Sequence, residues 1–81
     1  MSSPNHYRMQ LNNLLQANGG TGRLHWGEPI KGGFEHSPTW TVIASLDGME
    51  YGRGTRGTLG AAKEEAARQV LRRLSALNFT N

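Results

Sequence analysis

Residues 39–61, T-W-T-V-I-A-S-L-D-G-M-E-Y-G-R-G-T-R-G-T-L-G-A, decide the fold. From Thr39 to Leu46 the side chains alternate, with Trp40, Val42, Ala44 and Leu46 on one face and Thr41, Ile43 and Ser45 on the other. That period of two is the signature of a strand with one buried face. Asp47-Gly48 follows, and a type I′ turn needs positive φ at both central residues, which this pair supplies. A further strand from Met49 to about Thr55 completes the hairpin. Thr58 then offers an N-cap to a helix in which Ala62, Ala66, Ala67, Val70, Leu71 and Leu74 form one apolar stripe. Lys63, Glu64, Arg68, Arg72 and Arg73 fall mostly outside the stripe, and Glu64 four residues before Arg68 predicts an ion pair of about 0.3 kcal/mol. The alanines of the stripe let the helix backbone approach its partner closely.

Toward the N-terminus, Lys31 to Pro38 (KGGFEHSP) reads as turn chemistry, with two glycines and a proline. Leu24 to Ile30 precedes it as a short strand, placed at a sheet edge or near its end because Pro29 has no N–H for a ladder. Ser3-Pro4 is a helix start, and Tyr7, Leu11, Leu14 and Leu15 recur at helical spacing until Gly19-Gly20 stops the helix. The sequence therefore predicts an α+β fold, an α-β-β-β-α two-layer sandwich. Its three-stranded antiparallel sheet carries both helices on one face. The expected boundaries are a tail at residues 1–3, one domain over 4–77 and a second tail at 78–81.

Composition narrows the function. The chain has 81 residues, sufficient for one core. It contains no cysteine, so disulfides, thiolate metal sites and a cysteine nucleophile are absent together. The start MSSPNHYRMQ has no apolar core of a signal peptide and no long apolar run follows, which predicts an intracellular protein, cytoplasmic or nuclear. The net charge is +3, unevenly placed. Residues 1–52 hold three Lys/Arg against four Asp/Glu, whereas residues 53–73 hold six against two. A phosphate-bearing partner is expected at that second segment. No two of His6, His25, His36 and the carboxylates have a spacing that unites an acid with a base, or metal ligands, on one element. G-R-G-T-R-G lacks the G-K-[ST] ending of a nucleotide-cradling loop. A non-enzymatic module with no cofactor is the expectation.

Three segments carry a family resemblance: P-x-x-x-x-M-Q-L-N-N-L in the first helix, G-F-E-H-S-P-T-W-T-V, and D-G-M-E-Y-G-R-G-T with its A-K-E-E-A-A helix. In this order and at these distances, from Pro4 to Leu74, the chain resembles the double-stranded RNA-binding domain family. The resemblance implies that helix 1 and the loop after the first strand enter two successive minor grooves, while the start of helix 2 meets phosphates across the major groove between them. Met9 and Asn13 fall where the family directs a pair of side chains into the minor groove. Asn13 replaces the usual glutamate and keeps a donor and an acceptor at shorter reach. His36 matches the family's loop histidine, and Gly33 and Pro38 are expected to shape that loop. His6 and His25 match nothing and are expected at the surface.

The start of helix 2 departs from the pattern. Where the family has Lys-Lys-x-Ala-Lys, this chain has Leu59, Gly60, Ala61, Ala62 and Lys63, so one lysine remains. Arg53, Arg56, the Thr58 hydroxyl and the helix N–H groups are the expected substitutes. Without such replacement, losing two lysines flattens the salt dependence of binding. The readings, in order, are duplex RNA binding by shape through Met9, Asn13, His36, Arg53, Arg56, Thr58 and Lys63; a degenerate module that pairs with itself or with another such domain; and binding of structured DNA. Leu59, an apolar residue at a helix start expected to be exposed, favours the second.

Overall fold

The computed structural model describes residues 6–77. In chain order it contains α1 (Tyr7–Ala17), a single 3₁₀ turn (Thr21–Arg23), β1 (Leu24–Trp26), β2 (Ile30–Phe34), β3 (Ser37–Leu46), β4 (Met49–Arg56) and α2 (Leu59–Ala76). The proposed helix start at Ser3-Pro4 and both tails lie outside the described residues. All pairings are antiparallel, with β4 on one side of β3 and both β1 and β2 on the other. The expected sheet is thus three rows wide, but its first row is broken in two.

The break has a local cause. Trp26 faces Ala44 and Ile30 faces Thr41, so Gly27, Glu28 and Pro29 span the space of Val42 and Ile43. The extra residue bulges out, with Gly27 N–H still bonded to Ile43 O at 2.8 Å and Pro29 in the gap where no donor is required. The segment Lys31–Pro38, expected as a loop, is mostly strand: only Glu35 and His36 form the turn, and Gly33 pairs opposite Pro38. Two adjacent glycines, Gly32 and Gly33, read as a breaker in isolation. Both lie on an edge ribbon, where little packing is lost.

Asp47 and Gly48 turn the β3–β4 hairpin with φ of 52° and 86°, the positive values read from the sequence. One bulge interrupts this pair: Ala44 faces Gly52 but Ser45 faces Glu50, leaving Tyr51 unpaired. Tyr51 thereby packs against the core, and Glu50 turns to the opposite face.

Packing follows the stripes. Leu11 and Leu15 of α1, Ala44 and Leu46 of β3, and Ala66, Ala67, Val70 and Leu74 of α2 form the buried cluster. Tyr7, Leu14, Leu24, Trp26, Tyr51 and Leu71 flank it, half-buried. α2 lies directly on the backbone of β4 at Gly52 and Gly54. A Cβ built on Gly54 would strike Ala62 O and lie 2.8 Å from Ala66 N; one on Gly52 would strike Ala66 O and lie 2.9 Å from Val70 Cγ2. Backbone therefore rests on backbone, and neither glycine can acquire a side chain unless the helix lifts.

Gly54→Ala should consequently cost about 3 kcal/mol, the upper part of the range for overpacking a close contact. Gly60→Ala, at an open position within the first turn of α2, should stabilise by up to about 1 kcal/mol. Urea denaturation of both variants checks the opposite signs.

Candidate nucleic-acid interface

The first candidate element, α1, starts without a local cap. His6 makes no side-chain capping bond and the first turn contains no acidic residue. Its unsatisfied donors are met from α2: Tyr7 N–H and Arg8 N–H donate to Glu64 Oε1 at 2.8 and 3.4 Å, and the Arg8 side chain donates from Nε to Glu64 Oε2 at 2.6 Å. Burial pushes the Glu64 pKa up, but Arg8 and the two N–H donors outweigh it and leave the carboxyl below its usual range. This corrects the expected Glu64–Arg68 pair. Glu64 turns to α1, where orphan helix N–H groups reward an acceptor, and Arg68 pairs with Glu65 at 2.7 Å instead. With α1 held in this way, Met9 is 57% exposed and Asn13 is exposed one helical turn further on.

The second element is the β2–β3 hairpin. Every residue of β2 is exposed, so the hairpin projects as an arm beyond the helical layer, with His36 exposed at its apex. Phe34 beside the turn is 76% exposed.

The third element is the start of α2. Thr58 caps it, its Oγ1 accepting from Ala61 N–H at 3.2 Å. The N–H groups earlier in the turn have no acceptor within the helix, as at any helix start. Lys63 has no carboxylate partner among the described residues. Arg56 reaches this region but is bound to Glu65 at 3.0 Å, and Glu65 also holds Arg68 and accepts from Gln69 Nε2 at 3.0 Å. The Arg68 hydrogen bond leads these partners in pulling the Glu65 carboxyl down to about 2. One carboxylate is thus shared between two guanidinium groups, leaving a net positive charge.

Arg53 stands apart. Gly52 and Gly54 face α2, so Arg53 between them projects from the opposite face of the sheet, paired with Glu50 at 3.1 Å. The pair raises the pKa of Arg53 and lowers that of Glu50, chiefly through their mutual hydrogen bond. The fold thus gives Met9 and Asn13 to α1, His36 to the arm, and Arg56, Thr58 and Lys63 to the start of α2, while Arg53 belongs to the far face. Glu64 and Glu65 position α1 and Arg56, a role that the sequence of α2 alone does not reveal. Spacing within α2 suggests a same-helix pair for Glu64, whereas Glu64 reaches α1 and Glu65 joins Arg68 of α2 to Arg56 of β4. His6 and His25 are exposed, as expected.

Among the described residues, no group of His, Asp or Glu is placed to hold a metal ion. A cleft of about 290 Å³ is lined by Tyr7, Arg56, Ala61, Glu64, Glu65 and Arg68; its two carboxylates are already engaged as described. Residues 7–74 match the family model of the double-stranded RNA binding motif, and the chain belongs to that family. No curated protein matches the sequence. Double-stranded RNA is therefore its partner, and the match identifies no catalytic domain. No described helix is long and apolar enough to cross a membrane.

The Glu65 shift sets an acid response. Its carboxylate is favoured by folding, so that contribution is complete above the ordinary value of 4.5 and disappears as the pH falls through about 2. The side chain is 11% exposed but its arginines are 34% and 50% exposed, and solvent screening reduces the contribution to about 1–2 kcal/mol. Glu65→Gln should lower stability by that amount at pH 7 and flatten the loss between pH 4.5 and 2. Denaturant midpoints across this window measure both effects.

Proposed function

We propose that this chain recognises an A-form RNA duplex by shape, without chemistry. Met9 and Asn13 meet one minor groove, His36 meets the next, and Arg56, Thr58, Lys63 and the first N–H groups of α2 meet phosphates between them. The projecting β2–β3 arm carries this reading. An exposed two-stranded arm with a histidine at its apex can enter a wide, shallow minor groove and reach 2′-hydroxyls, while the helices remain packed on the sheet behind it. The exposed, uncapped amide of Asn13 offers both a donor and an acceptor to the same kind of group.

The start of α2 supplies fewer cations than is usual in the family, so phosphate contacts contribute less and the minor-groove contacts more. Arg56 can turn from Glu65 to a phosphate without leaving that carboxylate unpaired, because Arg68 remains on it. Arg53 does not belong to this surface.

Association through the free edge of β4 has less support. Arg53 N–H donates to Gln69 Oε1 at 3.0 Å, and Glu50 C=O accepts from Arg73 Nη1 at 3.1 Å. Side chains of α2 thus occupy backbone groups that an added strand would need.

A labelled RNA duplex of about 20 bp, longer than the footprint of about 16 bp, should bind at low salt in preference to B-form DNA of the same length. Met9→Ala and His36→Ala should each weaken binding several-fold, about 1 kcal/mol, with little change in its salt dependence. No binding at about 50 mM salt, or equal affinity for the two duplexes, refutes the reading.

A further inference from the structure

Trp40 lies opposite Lys31 on one side and Arg56 on the other, so these residues form one row across β2, β3 and β4. The row is on the helix side of the sheet, because Trp40 alternates with Val42, Ala44 and Leu46, which are buried there. α2 does not cover it. Ala62 rests over Gly54, one row further in, and the helix begins only at Leu59. Strands are about 4.8 Å apart, which sets Lys31 and Arg56 about 10 Å apart along the row. The row therefore runs from the start of α2 onto the arm that carries His36.

Lys31 Nζ lies 5.6 Å from the centroid of the Trp40 ring, within cation–π range. The ring holds the ammonium on this face and leaves its N–H donors available. Arg56 shares Glu65 with Arg68, whereas Lys31 has no carboxylate partner among the described residues. Lys31 is thus the uncompensated cation of the row. It lies far in sequence from the basic segment 53–73, and the sheet register brings it alongside.

We propose that Lys31, held against Trp40, anchors an RNA phosphate and takes over one of the contacts that the start of α2 lacks. The proposal rests on the duplex-binding reading above. Trp40 acts as a positioning residue: it fixes the direction of the ammonium and touches no phosphate itself. A compact ammonium suits this role, since it serves as a point charge with rotatable donors and needs no planar partner.

The test is titration of the full chain with a 20-bp RNA duplex between about 50 and 200 mM salt. Lys31→Gln, Lys31→Arg and Arg72→Gln are compared with the unsubstituted chain. Lys31→Gln should weaken binding at low salt and reduce the steepness of log K against log salt by about 1. Lys31→Arg should restore the slope. Arg72→Gln, on an exposed position near the far end of α2, should leave the slope unchanged. A slope unaltered by Lys31→Gln in a chain that still binds RNA overturns the anchor and leaves duplex binding standing. An equal change in Arg72→Gln indicates bulk charge and also overturns it. No binding by the unsubstituted chain overturns both.

Discussion

The rest of the structure depends on the direct contact of α2 with β4. Gly52 and Gly54 present bare backbone to the helix, and Ala62 and Ala66 answer with the smallest side chain that still favours helix. Close-packed interiors tolerate little change in volume, so this contact fixes the height of α2 above the sheet to within a fraction of a side chain. Everything exposed at the start of α2 inherits that height. Alanine stripes bury modest apolar area, and the larger residues Leu11, Leu15, Val70 and Leu74 supply most of the hydrophobic gain around them.

Polar ties transmit the position of α2 to the other elements. Glu64 takes the first N–H groups of α1, Glu65 takes Arg56 from the end of β4, and Gln69 and Arg73 engage the backbone of the β4 edge. Arg73 also lies 4.5 Å from the Tyr51 ring centroid, against the residue that the β-bulge releases into the core. A second tie, Arg23 to Asp47 at 2.7 Å, joins the segment after α1 to the β3–β4 turn. Each of these contacts is modest on its own, being partly open to solvent. Their common effect is geometric, because they orient the exposed side chains of α1 and α2 with respect to each other.

Electrostatics distinguishes two faces that net charge merges. Arg53 and Glu50 neutralise one another on the far side of the sheet, whereas on the helix side Glu65 is outnumbered by Arg56 and Arg68, with Lys63 and Lys31 adding unpaired charge. Phosphate contacts set register and orientation on a duplex and do not read sequence. In the binding mode proposed above, fewer such contacts, with an apolar Met9, a neutral Asn13 and His36 at an exposed apex, shift recognition toward the shape of the minor groove.

Much of the fold was legible because its signals are local. The alternation from Thr39 to Leu46, the Asp47-Gly48 turn and the apolar stripes of both helices each follow from residues close in sequence, and all appear in the structure. Pro29 marked the edge row correctly, but the break at Gly27–Pro29 and the continuation of strand through Lys31–Phe34 depend on pairing with β3. Glycine pairs in isolation look like breakers.

The sequence by itself determined the α+β class, the two hairpins' central strand, the Thr58 cap and the shortage of lysine at the start of α2. Tertiary structure alone decided which face of the sheet each charge occupies. Strand alternation sends Arg53 to the far side, Glu64 leaves Arg68 for a helix more than fifty residues away in sequence, and cross-strand register aligns Lys31 with Trp40 and Arg56. The basic segment read from the sequence is therefore divided between two faces in the fold, because neighbouring residues on a strand point in opposite directions.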